Sequence, residues 1–284
     1  MRARRWMWQY PTAAALALCA LLTGGAGTSG ARMAADVGLP HVGLPQVGLP
    51  LAGRTVVVDP GHNPGNPAHL AEINQLVDVG NGRKACNTTG TATDGGYPES
   101  AFTLDVARRV RALLDAEGAR VVLTQDGDRP WGPCVTERAA VGNREHADAV
   151  VAIHADGARP DGYGFHVILP ALVVAGAADT SAVVGPSRAL GLALRDAFAR
   201  ATGEPYSSYL GQGTALVTRG DLGGLNLSRV PAVFIECANM RNADDAARVT
   251  SPEWRESAAR GIAAGITAYL TGATAGVAPA QWRG

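Results

Sequence analysis

Unbroken apolar stretches alternate along this chain with stretches whose apolar positions recur every three or four residues, and the two patterns predict different elements. Thr55-Val56-Val57-Val58, Arg120 to Leu123, Ala149 to Ile153, Phe165 to Leu169 and Ala232 to Ile235 are short β-branched or apolar runs. Such runs suit strands buried on both faces. Glu99 to Glu117 instead carries Phe102, Val106, Val110 and Leu113 at spacings of four, four and three and then meets Gly118, which predicts an amphipathic helix with a glycine stop. Further helices are expected over Val135 to His146, Ser187 to Ala201 and Pro252 to Leu270. Strands interleaved with helices across residues 54–272 predict a single three-layer α/β domain, its central sheet mostly parallel or mixed and flanked by helices.

The two ends follow other patterns. Arg2, Arg4 and Arg5 precede the apolar run Ala13 to Leu22 and then Gly24, Gly25, Ala26 and Gly27. That charged, apolar, small-residue order is a secretory signal, so residues 1–31 are expected to be removed on export to the envelope, the periplasm or the medium. The apolar run is shorter than the roughly 20 residues that a span requires, and no stable membrane span is expected after processing. Val37-Gly38-Leu39-Pro40, Val42-Gly43-Leu44-Pro45 and Val47-Gly48-Leu49-Pro50 repeat one unit. A proline at every fifth position forbids helix and predicts an extended spacer over 32–53. Residues 273–284, made largely of Gly, Ala and Pro, are expected to form a frayed tail.

Composition adds exclusions. The 284 residues are 46% hydrophobic and 18% charged, long and apolar enough to bury a core without staples. Twenty-five basic residues balance 25 acidic ones, and removing residues 1–31 leaves 22 against 25. A mildly acidic protein has no charge excess to hold a polyanion, so no nucleic-acid partner is expected. Of the four cysteines, Cys19 leaves with the signal. Cys86 lies in a polar Gly/Thr/Asn loop and Cys134 after the turn Pro130-Trp131-Gly132-Pro133, whereas Cys237 lies in an apolar strand. In an oxidising compartment the two loop cysteines are the expected bridge, with two free thiols as the alternative.

The residues with chemistry sit at strand ends. The first strand runs into Asp59-Pro60-Gly61-His62-Asn63, where Pro60 and Gly61 are expected to break the ladder and project His62. The third ends in Ile153-His154-Ala155-Asp156-Gly157. Carboxyl ends of strands in open α/β sheets are where ligands bind, so two histidines there either converge on a metal or are polar turn residues. Glu99 opens the long helix after Pro98. An acid there is favoured by the helix dipole alone, and it is also a hard oxygen ligand that, with two histidines and a water, makes an open catalytic zinc arrangement. Glu236 closes an apolar strand, where a charge is costly unless paired or functional. Beside a metal it has a use as a general base.

Taken together, these segments resemble the zinc-dependent N-acetylmuramoyl-L-alanine amidases of the type 3 amidase family from Arg54 to Leu270. The matching pieces are Val56 to His62, Glu99-Ser100, Glu137 to Asn143, Ala152 to Asp156 and Val230 to Asn242. The resemblance implies one Zn2+ per chain held by His62, Glu99 and His154, and Glu236 as the catalytic acid/base. It also implies peptidoglycan as substrate, cut between the lactyl group of N-acetylmuramic acid and the L-alanine of the stem peptide. A zinc peptidase of the cell envelope and an inactive protein that binds wall fragments are the alternatives, and the working unit is expected to be a monomer. Two departures stand out: the stretch from Asn63 to Pro98 is longer than the family usually carries, and Ala171 to Pro186 is too short for the helical plug of some members. His69 and His166 are read as loop and sheet-face residues rather than groove residues. Arg138 and Asn143 are read as structural braces, and Trp131 and Tyr97 as aromatics for stacking or loop packing.

Overall fold

A computed structural model of the chain describes residues 48–272. The expected signal segment, most of the spacer and the tail lie outside the described residues. In chain order the elements are β1 (Thr55–Pro60), α1 (Leu70–Ile73), β2 (Leu76–Asp78), β3 (Arg83–Ala85), α2 (Glu99–Ala116), β4 (Arg120–Leu123), α3 (Val135–Arg144), β5 (Ala149–Asp156), β6 (His166–Pro170), β7 (Val174–Ala175), β8 (Ala178–Asp179), α4 (Val184–Thr202), β9 (Leu216–Arg219), α5 (Gly223–Asn226), β10 (Ala232–Asn239), α6 (Ala243–Thr250) and α7 (Pro252–Thr271).

The central sheet has the order β4-β1-β5-β10-β6-β9. Its first four strands run parallel, β6 joins β10 antiparallel, and β9 runs parallel to β6. The sheet is therefore mixed, as the sequence allows. Helices α2, α4 and α7 cover one face, and α3 and α5 cover the other. The first face holds the larger core, including Val56, Val58, Phe102, Ile153, Phe165, Phe198, Ile235 and Cys237. Burying each large apolar side chain of this kind is worth about 1.5–3 kcal/mol. On α2 the buried stripe runs Phe102, Val106, Val110 and then Leu114, with the predicted Leu113 only partly buried. Helices α4 and α7 pack closely because Gly265 has no side chain; a Cβ there would lie 2.6 Å from Leu194 Cα.

Two details differ from the sequence reading. Helix α4 starts at Val184, with Pro186 in its first turn, where a missing N–H leaves no carbonyl unpaired. Strand β1 continues through Pro60, which stands in register with Ile153. Its ladder is kept because Gly61 N donates to Ile153 O at 3.0 Å, while β4 pairs no further than Val58 and needs no donor from residue 60. The last residues before β1 also join the domain: Leu51 is fully buried, and its N–H donates to Glu117 O.

Candidate metal centre and active site

The backbone turns sharply after β1, at His62, whose φ is 61°. A non-glycine residue in that left-handed region carries strain, which proteins tend to keep where a side chain must be aimed. Here the turn aims the imidazole back across the strand ends. Gly61 makes room for its counterpart on β5, since a Cβ at 61 would stand 2.3 Å from the His154 ring. His154 lies flat against Phe234, with ring centroids 5.2 Å apart and planes 13° apart.

Glu99 is the first residue of α2, with Pro98 at the N-cap, so its carboxylate sits at the positive end of the helix. It is 4% exposed. One carboxylate oxygen lies 3.0 Å from His62 Nε2 and accepts from Thr91 N at 3.0 Å. The other lies 3.0 Å from His154 Nδ1 and accepts from Ala155 N at 3.2 Å. Burial pushes the Glu99 pKa up, but the charge of His62 and the hydrogen bonds with His154 and His62 outweigh it, leaving the carboxyl well below its ordinary value. One donor atom from each of His62, Glu99 and His154 lies within 4.8 Å of the other two. The sequence-predicted ligands thus converge. Two imidazoles and a carboxylate are a donor set that fits zinc with an open position.

The surrounding groups hold this set in place. His62 turns its other nitrogen, Nδ1, to Thr88 O at 3.1 Å, the outer contact that fixes a ligating tautomer. Asn66 Nδ2 donates to the same carbonyl at 2.7 Å. Arg138 is buried and ties the β1 end together: Nη2 donates to His62 O at 2.6 Å, Nη1 to Pro60 O at 2.7 Å, and the guanidinium pairs with Asp59, which also accepts from Thr124. Asn143 bridges Leu227 O and Arg229 N. Both residues are braces, in keeping with the sequence reading.

Glu236 pairs in register with His154 on the neighbouring strand and points into the same cleft of about 470 Å³. Its Oε2 is fully buried and has no hydrogen-bond partner among the described residues. Burial, then the charges of Glu99 and Asp156, raise its pKa well above the ordinary value, against a smaller lowering by Arg219. Cys237 faces the opposite side and is buried in the core.

Lys84, Asn87, Asp156, Arg219, Asp221 and Leu222 also line the cleft. Sequence reasoning assigned none of them a role. Asp156 is visible in the motif that ends β5, but Arg219 closes β9 and Asp221 follows it, and the apolar pattern does not reveal that strand. Among the other candidates, His69 bonds Glu72 and packs beside Trp131, and Tyr97 packs under Arg255. None of these three lines the cleft. Nor does the segment 171–186, whose first part forms the small β7/β8 hairpin.

The long stretch between β1 and α2 folds into α1 and the β2/β3 hairpin, and a Cys86–Cys134 disulfide anchors it to the start of α3. Asn87 Nδ2 donates to Pro133 O at 2.7 Å and Val135 N to Cys86 O at 2.8 Å beside it. The bridge therefore secures the strand of loop that presents Thr88 O to His62. Closing a loop with a sequence separation of 48 is worth about 4 kcal/mol in the chain-entropy model. Cys86→Ser/Cys134→Ser is expected to lower the unfolding free energy by up to about that amount, read from urea denaturation. An unchanged midpoint would assign the anchoring to the hydrogen bonds alone.

Comparison with known proteins agrees with the geometry. The family profile described as N-acetylmuramoyl-L-alanine amidase matches residues 56–268. The chain is 39% identical over 219 residues to N-acetylmuramoyl-L-alanine amidase Rv3717 of Mycobacterium tuberculosis, covering 77% of this chain and 87% of that one. The crystal structure of the N-acetylmuramyl-L-alanine amidase Ami1 from Mycobacterium smegmatis superposes with a TM-score of 0.71 at 43% identity, covering 78% of this chain and 99% of that one. Ami1 from Mycobacterium abscessus, in its apo form, gives 0.71 at 44% identity, with 78% and 100% covered. With its β1, β5 and β10 strand ends meeting the first turn of α2 in one cleft, the chain belongs to the N-acetylmuramoyl-L-alanine amidase family of peptidoglycan hydrolases.

Proposed function

We propose that this protein cleaves the amide between the lactyl group of N-acetylmuramic acid and the L-alanine of the stem peptide, with His62, Glu99 and His154 holding one zinc ion and Glu236 as the general base. The observation that carries this reading is the convergence of the three donor residues within 4.8 Å beside the unpartnered carboxylate oxygen of Glu236. A zinc ion held there supplies a Lewis acid that polarises the scissile carbonyl and lowers the pKa of water toward neutrality. Glu236 takes the proton of the attacking water as the new C–O bond forms, and passes it to the alanine nitrogen as the C–N bond breaks. An amine anion is a poor leaving group, so that second transfer matters most.

The expected placement of this chemistry is outside the cytoplasm. The charged, apolar, small order of residues 1–31 supports export, the 32–53 repeat a spacer ahead of the catalytic domain at 54–272, and 273–284 a tail. The disulfide accords with an oxidising compartment. Among the described residues no helix is long and apolar enough to cross a membrane, and the processed protein is proposed to act as a monomer on wall fragments.

Product analysis tests the bond assignment. Mass spectrometry of a digested muramyl peptide is expected to find free peptide with an L-alanine amino terminus and an intact muramic lactyl acid. Fragments cut within the stem peptide would assign the zinc-peptidase alternative instead.

A further inference from the structure

His166 and Glu236 stand opposite each other in the antiparallel pair β6/β10, which sets their Cβ atoms about 5 Å apart on one face of the sheet. His154 lies in register with Glu236 on its other side. A row of three chemical side chains therefore crosses three adjacent strands, and only His166 has no part in the reaction described so far. It is 1% exposed, and its Nδ1 is closed off without a hydrogen-bond partner among the described residues. The Oε2 atom of Glu236 is in the same condition. The two are complementary, since a carboxylate oxygen only accepts and a neutral imidazole has one N–H to give.

The surroundings favour that pairing. Tyr209 lies edge-on to the His166 ring at 5.9 Å and gives its hydroxyl to Asp156 Oδ2 at 3.1 Å. Arg219 directs Nε and Nη2 to Asp221 at 2.8 and 2.7 Å. Burial, opposed by the charge of Asp156 and helped by that of Arg219, lowers the His166 pKa to about 4, so the ring is neutral and keeps one N–H near neutral pH. A buried donor and a buried acceptor left apart each cost stability, and a hydrogen bond that joins them removes the cost from both.

We propose that His166 is a positioning residue for Glu236: its Nδ1–H, given to Oε2 across one buried water, holds the carboxyl with its other oxygen toward the reacting water. This inference rests on the reading of Glu236 as general base. The test compares wild type, His166→Leu, His166→Asn and Glu236→Gln, all zinc-loaded, by steady-state hydrolysis of a soluble muramyl peptide and by thermal melting. The Asn amide reaches about where Nδ1 stands, and Leu fills the space without a donor.

His166→Leu is expected to hold its fold and full zinc and to keep its KM, while kcat falls about tenfold or more. His166→Asn is expected to recover most of that kcat. Recovery by an amide donor, with fold, zinc and KM unchanged in the Leu variant, is a signature that a packing role does not produce. A Leu variant with wild-type kcat, a defect confined to KM, an Asn variant no better than Leu, or a Leu variant that loses its fold or its zinc would each overturn the inference. A Glu236→Gln variant as fast as wild type would instead remove the general-base reading, whatever the His166 variants do.

Discussion

Glu236→Gln is expected to keep its fold and its zinc while losing roughly two or more orders of magnitude in turnover, the usual scale of general acid/base assistance. Gln has the shape of Glu and fills the same place at the end of β10. It cannot take a proton from water. The stability side of the experiment has a definite sign. A carboxyl whose pKa is raised by folding costs stability in the metal-free protein at any pH above its unfolded value, because the folded state opposes its ionisation. The amide removes that cost, so the metal-free variant should melt at or above the wild-type temperature. A slow variant that also melts early would point to damage rather than chemistry. A variant with wild-type turnover would make Glu236 an ordinary strand-end acid and require the active site to be placed elsewhere.

How far the sequence reveals this site depends on the kind of signal each part leaves. Four of the five apolar runs announce β1, β5, β6 and β10, because strands covered on both faces need nearly continuous apolar residues, and the fifth marks β4, which lies at the sheet edge and is only partly buried. Glu99 is legible from the proline before it and the apolar stripe after it. Strand β9, Leu216–Arg219, is not. It is short, lies at the sheet edge and is only partly buried, so little apolar pattern is required of it. The hairpin β2/β3 carries Arg83 and Lys84 on exposed positions, and a disulfide supplies the anchoring that a hydrophobic pattern would otherwise advertise. Helix α6 is held at its start by the Asn242 side chain, which accepts from the N–H groups of Asp244 and Asp245, and it buries only two residues.

The deeper gap concerns the residues around the ligands. Nothing in the spacing of Thr88, Thr91 and Arg138 says that their backbone or side-chain atoms meet His62 and Glu99, because those contacts are made by loop geometry. Arg138 reads as a brace, but besides Asp59 its partners are the main-chain carbonyls of Pro60, His62 and Pro133, which leave no mark in a sequence. His166 was read as a sheet-face residue, and it is one. The sequence does not disclose that its face is the one shared with Glu236 and His154, since that depends on the antiparallel register of β6 against β10.

The second large effect concerns the metal. Purified protein is expected to hold one zinc per chain, and His62→Ala or His154→Ala to lose most of that zinc together with nearly all turnover. Each substitution removes one of three donors and also leaves the Glu99 carboxylate, 4% exposed, with a single imidazole beside it. A buried charge that loses a partner destabilises its surroundings, so the fold must be followed in parallel. Wild type stripped by a chelator supplies the control: it keeps both imidazoles, and zinc alone should restore its activity. The histidines differ in support. His62 is held from outside by Thr88 O, whereas His154 rests against the Phe234 ring, so His62→Ala should disturb the loop after Asn87 more than His154→Ala disturbs β5. Ligation uses the imidazole lone pairs, so protons compete with zinc and retention should fall on acidification. Elemental analysis that finds one zinc per chain in both Ala variants would dismiss the ligand assignment, and the convergence of His62, Glu99 and His154 would then be a hydrogen-bonded brace for the strand ends.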